Sequence, residues 1–434
     1  MTRIGLFAAL LMGLAAADRA EAHHLEPRAP TANTAAVSAV LDGAGLVVGD
    51  PLFEVESILD DEALLTPAEF EFGLRSLSGE VIPGLLSSRL LVSRQFDRML
   101  ARQLRPIGPE RPGVVVGGVN TGGCMFGEAG GCGSDICPYC TAGEGDYGPF
   151  FIEPGPSTWV RVNGLDADGD TVPGGPIAND VNAVLYQLGY TFPVDSELLF
   201  GAVLGYGDTD IDGDLDLGEF DQRTTRVSFY TRKTVGHVFV TAATSYGYDQ
   251  TILTRQVVAG PLAIETEAGK FDGHEFSSFV ELGANLFESR NVTVQPLIGL
   301  RYARVFRDAD TELGDAPEAL IFDSQSEDAL EFRLGGRFAK TFRATKAVEL
   351  IPEVRAWWLH DFQAEVPETT LRLAGLPDVP FVVRGERPDE NVAVVGLGVT
   401  VVLDNEYALW FQYDGEYGNQ TTTNVASAGF LSSW

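Results

Sequence analysis

Basic residues are scarce in this chain of 434 residues: 30 Lys and Arg stand against 62 Asp and Glu, a formal net charge of −32. That deficit argues against a nucleic acid partner, which needs basic patches to neutralise phosphates. It argues equally against adhesion to an anionic membrane by simple charge. Histidine is rare and scattered, at His23, His24, His237, His274 and His360, and none sits in a metalloprotease or nucleophile motif. No catalytic set is legible, so the chain is not read as an enzyme. After the amino terminus, no apolar run is long enough for a spanning helix.

Cysteine is confined to one glycine-rich stretch, within residues 107–156, as Cys124, Cys132, Cys137 and Cys140. Four thiolates at compact spacing suit a metal. An oxidising compartment would pair them as two disulfides, with the connectivity open. A redox-active Cys137-Pro138-Tyr139-Cys140 lacks the flanking strand and helix it would need. The amino terminus favours disulfides. Met1–Ala22 reads as a secretory signal, with Arg3, an apolar stretch from Ile4 to Ala17, and a small-x-small site at Ala20-Glu21-Ala22. The exported chain would begin at His23.

What the sequence has in abundance is two-residue alternation, from Ser157 to Trp434. In Ala329–Phe342, Leu330, Phe332, Leu334, Phe338 and Phe342 share one face, while Glu331, Arg333, Arg337 and Thr341 share the other. Tyr407–Asp414 alternates the same way, with Asp414 on the polar face. Charges recur on that polar face at Arg161, Glu281, Arg301, Glu331, Arg333, Glu349 and Arg355. They are tolerable around a wet lumen and not in lipid. Twelve such segments are predicted near 158–164, 180–192, 197–207, 223–233, 236–249, 274–286, 292–305, 329–342, 347–361, 392–403, 406–415 and 424–434. Tight links alternate with long acidic ones, around 208–222, 250–273, 306–328 and 362–391. The fold class that follows is an all-β membrane protein, an antiparallel barrel of twelve strands.

Residues 23–75 show no clear period and read as a small or partly disordered segment. Residues 76–106 hold a junction and a helix over 84–105, bounded by Pro83-Gly84 and Pro106. Arg94, Arg98, Arg102 and Arg105 stripe one side of it. A solvated basic face is one reading. A plug is the other: a basic helix inside a lumen carrying Glu281, Glu331, Glu349, Glu353 and Asp414.

Several stretches resemble the translocator barrels of autotransporters, the type V secretion family. Leu77-Ser78-Gly79-Glu80-Val81 with the Arg-rich helix resembles the junction before the barrel. Trp159-Val160-Arg161-Val162-Asn163-Gly164 resembles the first strand, Leu204-Gly205-Tyr206 the end of the third, and Pro296-Leu297-Ile298-Gly299-Leu300-Arg301-Tyr302 the proline-containing middle strand. Trp434 is aromatic, like the family's carboxyl-terminal insertion signal. Ser432 and the cysteine-bearing segment depart from the pattern. The resemblance covers about residues 76–434. It implies a twelve-stranded barrel with an N-terminal pore helix in the bacterial outer membrane. It also implies outer-membrane lipid and the insertion machinery as partners, and a short N-terminal segment as the chain's own cargo, displayed at the cell surface.

Asp208, Asp210, Asp212, Asp214, Asp216 and Glu219 match a twelve-position calcium loop around Gly213. No cofactor is expected apart from calcium at that segment. The alternative function is a passive pore or surface-binding barrel whose acidic loops take calcium.

Overall fold

The structure is a computed structural model. It describes residues 25, 28–48, 50, 52–61, 64–105 and 156–434, apart from 170, 172–174, 196, 259–263, 287–290, 314–315, 346 and 405. The signal segment and the four cysteines lie outside the described residues.

Among the described residues, seventeen strands follow four α-helices. The barrel wall is β1 (Ser157–Gly169), β2 (Asn179–Pro193), β3 (Leu198–Gly213), β4 (Gly218–Val235), β5 (Val238–Val258), β6 (Ile264–Ala284), β7 (Val292–Arg307), β10 (Gln325–Lys340), β12 (Val348–Asp361), β15 (Asn391–Leu403), β16 (Tyr407–Tyr417) and β17 (Thr421–Ser433). Each pairs antiparallel with its neighbour, and a two-residue β11 (Phe342–Arg343) extends the pairing to β12. Ser157–Gly169 pairs with Thr421–Ser433, so the first and last strands close the sheet into a twelve-stranded barrel. Closure leaves no wall strand with a free edge.

Alternation decides what each face meets. On β10, Glu331, Arg333 and Arg337 are buried inward while Leu334 and Phe338 stand outward, 49% and 47% exposed. Tyr186, Leu188, Tyr190, Phe200, Leu204 and Phe229 continue that outward apolar surface. So large a band is a liability in water and is stable against acyl chains.

The two ends of the barrel differ. One end has short turns, such as Pro193 to Leu198 and Val235 to Val238. The other carries the links between β1 and β2, β7 and β10, and β12 and β15. Short turns mark the periplasmic end and long links the outer end. Two of the expected long acidic loops are not loops. The segment 208–222 stays in register, Asp208 opposite Arg223 and Asp212 opposite Glu219, and turns only at 214–217. Likewise β5 and β6 run paired from Val238–Ala284 out to Val258–Ile264. The sequence pattern blurs there because strands that leave the membrane lose the apolar face that marks them.

The other two long links build a second, four-stranded sheet above the outer mouth. Its strands are β8 (Asp310–Thr311), β9 (Leu320–Phe322), β13 (Glu368–Leu373) and β14 (Phe381–Arg384), in the order β14-β13-β9-β8.

The N-terminal region is helical: α1 (Ala32–Ala44), α2 (Phe53–Asp60), α3 (Pro67–Ser78) and α4 (Ile82–Leu104). The expectation of a partly disordered segment missed three short helices, two of which carry caps present in the sequence. Thr31 caps α1, and Thr66-Pro67 with Glu69 opens α3 with a capping box. Short helices such as these need tertiary packing to persist. They find it on the loop sheet: Val37, Leu41, Leu52, Leu74 and Leu77 share one buried core with Leu320, Phe322, Leu371, Leu373 and Val383.

Candidate functional site: lumen and outer mouth

The helix α4 occupies the lumen and runs from the outer mouth to the turn end. At its start, Pro83 and Gly84 lie against Gly385 of the outer link. At its end, Arg105 meets Glu281 of β6, with Nη2 to Oε2 at 2.7 Å, and stacks over the Trp357 ring at 4.3 Å. The helices α1 to α3 before α4 are thereby placed outside the outer mouth.

The arginine stripe meets carboxylates of the wall. Arg94 approaches Glu331 at 3.9 Å and Glu416 at 3.5 Å; Arg98 donates to Glu416; Arg102 reaches Asp414 at 2.5 Å. The predicted lumen residues Arg301, Glu331 and Arg333 form one cluster. Arg301 donates to Glu331 at 3.0 Å, as does Arg333. Glu353 pairs with Arg337 and Arg355, and Arg355 also with Asp414 at 3.0 Å. Glu349 pairs with Arg343 of the wall at 3.3 Å. Attraction between such groups offsets their desolvation only when geometry is good on both sides, and here most have two partners.

Sequence reasoning missed three anchors. Asp97, the acid of α4, lies between two wall arginines. It accepts from Arg226, and from Arg301 Nε at 2.7 Å, with Ser277 Oγ at 3.1 Å. Arg89 of α4 donates to Asp249 of β5. Glu416 lies just beyond the predicted end of its strand. The inward positions of Arg226 and Asp249 follow the two-residue rule, so the signal existed. It required asking which wall charges an acid in a basic helix would seek.

At the outer mouth, polar contacts join the helices to the loops. The Asn33 amide donates to Arg384 O at 2.7 Å and accepts from Arg384 N at 2.8 Å, pairing with β14 as a strand would. Arg255 Nη2 donates to Glu312 at 2.6 Å and to Glu318 O at 3.2 Å, and its Nη1 donates to Ser76 O. Arg75 binds Glu80 at 2.5 Å, and Thr31 Oγ1 donates to Glu80 at 2.9 Å. Burial raises the Glu80 carboxyl above its ordinary value against the opposing pull of Arg75. Gly79, at φ +66, ends α3 where a side chain would collide with Leu320.

The calcium pattern does not assemble. Asp208, Asp210 and Asp212 lie on β3, side chains outward, and Asp214 and Asp216 belong to a tight turn before Glu219 of β4. A strand spreads its alternate side chains in a row and cannot wrap them round one ion. Among the described residues no three histidines, cysteines or carboxylates converge as metal ligands.

Residues 158–414 match the family described as autotransporter beta-domain, more than half of the chain. An extracellular serine protease of Serratia marcescens is 24% identical over 401 residues, covering 91% of this chain and 33% of that protein. The esterase EstA of Pseudomonas aeruginosa is 22% identical over 255 residues, covering 58% of this chain and 38% of that protein. The chain therefore spans about a third of the length of these curated relatives. The translocator domain of the autotransporter NalP from Neisseria meningitidis superposes with a TM-score of 0.51 at 16% identity, covering 64% of this chain and 88% of that one. The closed twelve-stranded wall, the helix in its lumen and the matched residues lead to one conclusion: the chain belongs to the autotransporter beta-domain family, whose barrels sit in the outer membrane.

Proposed function

We propose that this barrel carries the chain preceding α4 across the outer membrane and then holds it at the cell surface. The direction of α4 carries the reading: its first turn lies under the outer links and its last beside the turn end, where β1 begins. The lumen supplies a polar path lined by Arg161, Arg226, Glu281, Arg301, Glu331 and Asp414. After passage, α4 lodges there, its arginines neutralised by wall carboxylates. Helices α1 to α3 stay docked on the loop sheet as a surface cap. Outer-membrane lipid covers the outward apolar band, and the insertion machinery is the partner that would place the barrel there. The barrel is assigned transport and display, and no catalysis. The test is protease added to intact cells. Loss of residues 25–78 with the barrel left whole is expected; protection until the outer membrane is opened would refute the export reading.

A further inference from the structure

The helix is not centred in the barrel. Among the wall strands its backbone runs closest to β2, β3, β6, β7 and β10. Towards β16 the helix reaches the wall through long side chains, Arg94 and Arg98 to Glu416 and Arg102 to Asp414. Two cavities occupy that side. The outer one, of about 130 Å³, is bordered by Arg94, Glu331 and Glu416 and opens among the links at the mouth; its walls carry seven carboxylates against Arg94 and Arg387. The inner one, of about 50 Å³, has the reverse balance: five arginines, Arg102 and Arg355 among them, against Glu353. Between them stands one layer of ion pairs, Arg98 with Glu416 and Arg102 with Asp414.

We propose that this layer is the barrier to ion flow through the plugged barrel, and that the crevice beside α4 is an ion path with a cation-attracting outer half and an anion-attracting inner half. Small inorganic ions are the permeant class, because both cavities are narrow and carry charged side chains on their walls. The opposite flank of α4 is closed by packing: Phe96 lies against the positions of Gly205 and Gly207, and Arg89 against Gly273 and the Phe306 carbonyl. Arg98 and Arg102 are different. They cross from α4 to Glu416 and Asp414 of β16 between the two cavities, so shortening them is the change expected to join the two. A cleft lined by one sign of charge concentrates the opposite ion. Two such halves in series fill with ions when the outer side is positive, since cations then enter from outside and anions from inside. They empty when the polarity is reversed. The path should therefore rectify.

The experiment is single-channel recording of the purified full chain in planar bilayers in potassium chloride. Orientation is assigned with an antibody to the N-terminal segment. Arg98→Ala/Arg102→Ala is expected to raise conductance several-fold over the unaltered chain, with larger current when the cap side is positive. Alanine preserves the helix, and the shift in gel migration on heating verifies that the barrel is folded. Arg89→Ala, on the packed flank, is the comparison and should conduct much less. Equal conductance from Arg89→Ala would overturn the one-sided barrier. A folded double variant as closed as the unaltered chain would also overturn it. Current without rectification, or with the opposite sign, would overturn the two-halved path.

Discussion

Asp97→Asn is the sharpest probe of how α4 is held. The carboxylate serves Arg226 and Arg301 together, and all three are buried. Asparagine keeps the shape and one acceptor oxygen but removes the charge and turns an amide donor towards cations. Removing one member of a buried ion pair costs about 3–5 kcal/mol. Here each arginine keeps a second carboxylate: Arg301 has Glu331 at 3.0 Å and Arg226 has Glu275 at 2.9 Å. The lower end of the range applies, about 3 kcal/mol, roughly a hundredfold in the unfolding equilibrium. The assay is urea unfolding of the detergent-solubilised barrel, read as the change from folded to unfolded migration in unheated gels. A cycle with Arg301→Gln isolates the pair; groups in one network couple by about 0.5–3 kcal/mol. A loss below about 0.5 kcal/mol, typical of a surface substitution, would refute the view that Asp97 pins the helix.

Other consequences concern the cap. Leu371→Ala, in the fully buried core between loop sheet and helices, should cost about 2–5 kcal/mol and speed proteolysis of residues 25–78 while the barrel stays folded. Asn33→Ala leaves the Arg384 backbone groups without their partner and should loosen the cap by about 1–3 kcal/mol, measured as faster amide exchange in β14. The Glu80 carboxyl is raised in the fold, so the stability it contributes is present below its ordinary value and lost as pH rises through the raised one. Proteolysis of the cap should therefore slow from neutral pH towards pH 5, and Glu80→Gln should abolish that dependence.

Much of this was legible in the sequence because lipid imposes a strict rule. A wall residue faces either acyl chains or the lumen, and period-two runs such as Leu330–Phe338 declare which. The strand count and the tight turns followed from the same rule. The stripe of Arg94, Arg98, Arg102 and Arg105 was legible for a related reason, since four cations on one flank of a helix demand anions in a confined space. The rest depended on information that alternation does not carry. The outer ends of β3 to β6 leave the membrane and lose their apolar face, so they read as loops. The helices α1 to α3 are stabilised by Leu320, Leu371 and other residues some three hundred positions away. Asp208–Glu219 has the composition of a calcium loop, but hairpin pairing fixes its backbone and spreads its carboxylates.

The account rests on a chain threaded from the outside inwards through a barrel set in the outer membrane. A short epitope placed after Val47 in the cap, and separately after Val194 in the β2–β3 turn, tests it most directly, both sites being exposed. Antibody added to intact cells should bind the first and reach the second only after the outer membrane is opened. The reverse pattern, or binding to neither in intact cells, would contradict the threading.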